Sequence, residues 1–269
     1  MQSLKSILRV RKQQKHDTKN DSFEQLIETI DSQIKDLVSA IEIMHAQFQT
    51  DLVPAIFNNY LFFRLAFKDI FSTVCQLLKS QQERDRNLIA RSLATHLHEF
   101  LSDTQDFLGP KTKGGLVDFD NLSNQDLLIK DLYKLKEIYR AIKNKTFKSL
   151  SDIRNNTAAH KDPNSLLLNR KIQNIKTEEV QLYSILCSVL FMIIVHFQNN
   201  VLASIIQQMN AGTGTMIPVT PYRTVEQKFT EVCMIMQGVE PWIAELASKL
   251  TQEEMKKLNE IVAYLQEKR

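Results

Sequence analysis

Leu182-Tyr183-Ser184-Ile185-Leu186-Cys187-Ser188-Val189-Leu190-Phe191-Met192-Ile193-Ile194-Val195-His196-Phe197 is the most apolar run in the chain. Its 16 residues fall short of the roughly 20 that a helix needs to cross a bilayer. Ser184, Ser188 and His196 also interrupt it. The run is expected to be the middle of a long helix, from about Thr177 to Met209, buried in a protein core.

The rest of the chain supplies further helices. Phe23, Leu26, Ile27, Ile30, Ile34, Leu37, Val38, Ile41 and Met44 recur at helical spacing behind a cap at Asp21 or Ser22. Pro54 suits the first turn of a second helix, which reaches about Leu78 and carries Phe57, Tyr60, Phe62, Phe63, Phe67 and Phe71. Arg64 lies among these aromatics, and its long stem is expected to lift the charge to the surface, the alternatives being a carboxylate partner or the lining of a pocket. A third helix is expected over Gln82–Phe107, ended by Gly109-Pro110. A fourth starts at Ser123 or Asn124, with Leu128, Leu132, Leu135, Ile138, Tyr139 and Ile142 on one face, and breaks at Asn144-Lys145-Thr146. The next starts near Ser149 or Ser151 and ends before Pro163, because a proline disfavours the α conformation in the residue before it. Beyond the central helix, Thr251-Gln252-Glu253-Glu254 reads as a capping box, and Trp242 is expected to dock a hairpin onto the body.

Six glycines and six prolines are too few for a turn-rich β-sandwich or barrel. The expected fold is therefore all-α: a multi-helix bundle of long antiparallel helices with a C-terminal helical extension. The expected organisation is a flexible basic arm over 1–20, a helical domain over 21–209, a linker over 210–224 and a helical hairpin over 225–269. Cys75, Cys187 and Cys233 are dispersed in apolar contexts, which suits reduced core thiols and a cytoplasmic protein. No Cys/His cluster has metal-ligand spacing, so neither metal nor other cofactor is expected. The N-terminus has cations but no apolar stretch of the secretory kind. A membrane-associated helical protein is the weakest reading, resting on 182–197 and the basic arm.

The net charge of +3 hides a strong asymmetry. Residues 130–176 carry twelve Lys/Arg against four Asp/Glu, and residues 1–20 carry six against one. Such blocks suit a polyanionic partner, although Lys130, Lys134, Lys136, Arg140 and Lys143 also fit the wet face of an amphipathic helix.

Inside the larger block lies Ile153-Arg154-Asn155-Asn156-Thr157-Ala158-Ala159-His160-Lys161-Asp162. An arginine can clamp a phosphate, and a histidine can move a proton near neutral pH. The spacing alone decides little, because Arg9 or Arg11 with His16, and Arg91 with His96 or His98, also satisfy it. His16 lies in the polar arm, and the Arg91 pairs are expected on a solvated helix face. Arg154–His160 differs by its Asn-Asn-Thr run, which is costly inside a helix, and by the low Ala158-Ala159 surface. On an ideal helix Arg154 and His160 would stand about 240° and about 9 Å apart, so one copy would not bring them side by side.

The sequence Arg-Asn-x-x-x-Ala-His, in an all-α chain, resembles the signature of the HEPN superfamily, in the version found in abortive-infection proteins. The resemblance implies a metal-independent endoribonuclease that cuts RNA by 2′-OH transesterification in a defence or toxin system. His160 would transfer protons, Arg154 would hold the scissile phosphate, and Asn155 would orient the site. It also implies a homodimer with two motifs facing one cleft, and a possible antitoxin or regulatory partner protein. Lys143, Lys145, Lys148 and Lys161 are the expected RNA-binding cations. Some members of the superfamily have lost activity, so a non-catalytic helical module that binds RNA or another protein is the alternative.

Overall fold

The computed structural model describes residues 25, 27–39, 41–42, 52–108, 122, 124–158, 170, 173–213, 221–236 and 250–267. Among them the regular structure is entirely helical: α1 (27–39), α2 (Leu52–Lys79), α3 (Glu83–Phe107), α4 (Gln125–Ala158), α5 (Thr177–Thr213), α6 (Val225–Met236) and α7 (Gln252–Glu267). The protein is an all-α multi-helix bundle.

The apolar run is the axis of this bundle. From Val180 to Leu190 every residue of α5 is buried, and Ile193, Ile194, Phe197 and Val201 continue the core. By length and composition α5 could cross a membrane, yet most of its apolar window is buried by α2, α3, α4, α6 and α7. Its serines fit this dry setting by bonding back along the helix. Ser184 donates to the Gln181 carbonyl at 2.7 Å, and Ser188 to the Ser184 carbonyl at 2.7 Å.

Cross-helix contacts set the directions. Phe63 meets Phe100 and Phe107 edge-on at 6.0 and 4.9 Å, while the Thr73 hydroxyl sits 3.2 Å from His96 Nδ1, so α2 and α3 are antiparallel. His98 stacks on Phe147, and the Tyr139 hydroxyl donates to the Leu101 carbonyl at 2.9 Å, so α3 and α4 are also antiparallel. Asn124 bonds to Gln207 at one end of α4, and Ser149 to Glu179 further along it, so α4 runs antiparallel to α5. Asn124 itself has φ 65°, a left-handed conformation that asparagine tolerates better than most residues.

Helix α4 does not break at Asn144-Lys145-Thr146. Thr146 is fully buried and donates to the Ile142 carbonyl at 2.9 Å, while Leu150 carries the apolar stripe onward past the weak local propensities. Arg64 does not reach the surface either. It is 7% exposed, donates to Gln33 Oε1 and the Tyr60 carbonyl at 3.3 Å each, and lies over the Tyr60 ring. The central helix also extends beyond Met209 to Thr213. Trp242 lies outside the described residues. The capping box forms as expected, with the Thr251 N–H donating to Glu254 at 2.9 Å and the Glu254 N–H to the Thr251 hydroxyl at 3.3 Å. The three cysteines are buried and none forms a disulfide.

A buried carboxylate fastens the entry to α6. Asp131 occupies a core-stripe position of α4, three residues after Leu128 and four before Leu135. Its Oδ1 accepts the Val225 N–H at 2.9 Å, at the start of α6. Its Oδ2 accepts the Tyr222 hydroxyl at 2.8 Å and the Asn200 amide at 3.3 Å. Burial pushes the Asp131 carboxyl up, against these three hydrogen bonds that favour its charged form. Thr224 and Gln227 add a second capping box, with reciprocal bonds of 2.9 and 3.2 Å. Replacing Asp131 by Ala would leave the Val225 N–H and the Tyr222 hydroxyl without their carboxylate. The expected loss is about 3 kcal/mol of unfolding free energy by urea titration, with Asp131→Asn falling between. A loss below about 0.5 kcal/mol would contradict this role for the carboxylate.

Candidate functional site

The candidate read from the sequence lies at the C-terminal end of α4. Leu150 and Ile153 pack inward there, which turns Asn155 outward and leaves Arg154 half-buried at the edge of the helix–helix seam. The exposed Asn155 amide donates to the Ser151 hydroxyl at 3.3 Å, one turn back on the same face. The helix continues through Asn156 and Thr157 to Ala158. His160 and Lys161 lie outside the described residues, so the placement of Arg154 against His160 does too.

The charge of Arg154 is felt by a different histidine. His98, on α3, is only 8% exposed, and its ring stacks on Phe147 with centroids 4.5 Å apart. Among the described residues its Nδ1 has no hydrogen-bond partner. Burial lowers the His98 pKa, the field of Arg154 lowers it further, and Lys143 adds to this against the opposing pull of Glu99. The ring is thus held neutral at physiological pH. This is not the solvated face expected for the Arg91–His98 segment, because Leu97 and Leu101 roll His98 towards α4.

The expected RNA-binding lysines separate. Lys143 is drawn into the α3–α4 seam, where it bonds to Gln105 and lies over the Phe147 ring at 4.8 Å and the Tyr139 ring at 5.7 Å. Lys145 lines a groove of about 800 Å3 between α4, α5 and α7, which it shares with Lys176, Lys257, Glu179, Glu253 and Glu260. In that groove Lys257 pairs with Glu253 at 2.9 Å, and Glu179 accepts from Tyr183 and Ser149. Lys148 is exposed. Among the described residues no group of three or more His, Cys, Asp or Glu is placed to hold a metal ion.

A second histidine, His196, is half-buried and donates from Nε2 to the Arg223 carbonyl at 2.7 Å beside the Asp131 cluster. Burial again lowers its pKa, and Lys228 and Arg223 add to this against the hydrogen bond and Asp131. Both rings therefore resist protonation in the folded state, and the unfolded chain takes up protons first as pH falls through about 6.5. The stability they confer is present above that value and lost below it. The urea midpoint should fall between pH 7.5 and 5.5, and fall less in His98→Phe, which keeps the ring stack. An equal or larger fall in His98→Phe would contradict this role for His98.

No protein-family model, no curated protein and no solved structure matches the chain, so the reading of its function rests on the residues themselves.

Proposed function

We propose that this protein is a metal-independent endoribonuclease of the HEPN type, working as a homodimer in a defence or toxin system. The observation that carries the proposal is the position of Arg154 and Asn155. They are consecutive residues near the C-terminal end of α4, Asn155 exposed and Arg154 half-buried, on the helix with the strongest excess of cations among the described ones. A guanidinium there can hold two non-bridging oxygens of one phosphodiester, and the neighbouring amide can donate to the same group.

In the proposed reaction the ribose 2′-oxygen attacks the adjacent phosphorus as its proton is removed. The phosphorus–5′-oxygen bond breaks, and the departing oxygen takes a proton. The products are a 2′,3′-cyclic phosphate and a 5′-hydroxyl. Arg154 stabilises the charge that grows on the phosphoryl oxygens. His160 is assigned one of the proton transfers, and the same residue of a second copy supplies the other. His98 is unsuited to either as it stands, because its ring is buried against Phe147 in the α3–α4 seam.

The test uses purified wild type, Arg154→Ala and His160→Ala with RNA in excess chelator. Wild type should cleave. Each substitution should slow cleavage by about a hundredfold or more while leaving the helical circular-dichroism spectrum unchanged. Equal cleavage by His160→Ala, or none by wild type, would overturn the enzymatic reading. RNA retained without turnover, and weakened by Arg154→Ala alone, would favour a non-catalytic binding module instead.

A further inference from the structure

We propose that the solvent-facing stripe of α4 from Lys130 to Arg154 is a track for single-stranded RNA, with Tyr133 as a base-stacking platform. The inference rests on the endoribonuclease reading for its ligand, and adds where and in what form the substrate lies.

The stripe follows from helix geometry. At about 100° per residue, Lys130, Lys136, Arg140, Lys148 and Arg154 all fall within about 60° of the azimuth of Tyr133. The structure agrees: Lys130, Tyr133, Arg140 and Lys148 are exposed, while Lys136 and Arg154 form its half-buried edge. The stripe is about 36 Å long at about 1.5 Å per residue, and it ends at the candidate site. One carboxylate, Glu137, falls within it, and that carboxylate is already engaged by Lys134 at 3.4 Å. Among the described residues Lys130, Lys136, Arg140 and Lys148 make no ion pair. Asn144, Ser151 and Asn155 fill the gaps with hydrogen-bonding groups of no charge.

Tyr133 makes the stripe more than a wet face. It is 66% exposed, the most exposed of the large hydrophobic side chains among the described residues. No other aromatic is exposed on α4, since Tyr139 is buried and Phe147 is stacked on His98. An aromatic ring set among cations offers a face to an unpaired base while the cations hold the backbone. Duplex RNA keeps its bases stacked inside and would leave that ring without a partner. A lipid surface would call for a broad apolar face, and Lys130, Lys136 and Glu137, one turn to either side of Tyr133, are all charged.

The probe is a fluorescein-labelled 2′-O-methyl oligouridine, which lacks the attacking hydroxyl and so reports binding alone. Binding by the full chain should weaken with salt, with a log–log slope of about −3.5 for five phosphate contacts. Tyr133→Ala should weaken it about tenfold, Tyr133→Phe should restore it, and Arg140→Ala should flatten the slope by about 0.7. Tyr133 is exposed, so these variants should keep the wild-type melting temperature. Unchanged binding by Tyr133→Ala, equal competition by a duplex of the same length, or Tyr133-dependent binding to phosphatidylserine vesicles in place of RNA would overturn the proposal. Unmodified RNA, run in parallel, separates the two readings. Tyr133-dependent binding without cleavage would sink the endoribonuclease and leave the track standing. Cleavage with binding indifferent to Tyr133 would do the reverse.

Discussion

A helix that is apolar around its whole circumference must be enclosed, and that requirement on α5 organises the molecule. The partners α2, α3 and α4 lie along it, and α6 and α7 cover what α4 leaves open. Aromatic side chains fill the widest gaps, with the Phe67 and Phe191 rings stacked at 3.6 Å. Enclosure uses one side of each partner. For α4 that side carries Leu128, Leu135, Ile138, Ile142 and Leu150, and the side left over carries the cations. The basic stripe and the position of Arg154 at its end are thus consequences of how α5 is buried.

The same constraint explains the polar groups that remain inside. Asp131 stands where a leucine would fit the stripe, and it is tolerated because three donors converge on it. Two of those donors, Tyr222 and Val225, come from the segment entering α6, so the carboxylate specifies where α6 attaches. His98 is the counterpart at the α3–α4 seam, where burial and the nearby Arg154 favour a neutral ring. Arg154 therefore acts on the inside of the bundle through its field as well as presenting a surface to solvent.

The features legible in the sequence were those set by local spacing. The apolar run, the aromatic α2 and the Thr251–Glu254 box depend on neighbours within a few residues, and each formed. The expected break at 144–146 rested on local propensity, and buried Thr146 and Leu150 overrode it. The fates of Lys143 and Lys145 depended on Gln105 and on Glu253 and Glu260, which lie far away in sequence and arrive only with folding. Asp131 did leave a trace, an acid on an otherwise apolar stripe. For the candidate site, Arg154 is half-buried and Asn155 exposed near the C-terminal end of α4, while His160 lies outside the described residues.

The central functional claim is a chemical one, and the product terminus tests it most directly. A phosphorus-31 NMR spectrum of a short unmodified RNA, digested by the wild-type protein in excess chelator, should show the resonance of a 2′,3′-cyclic phosphate. It should be absent when Arg154→Ala replaces the wild type. A terminal 5′-phosphate as the first product would mean that water and not the ribose hydroxyl attacks, and would contradict the account.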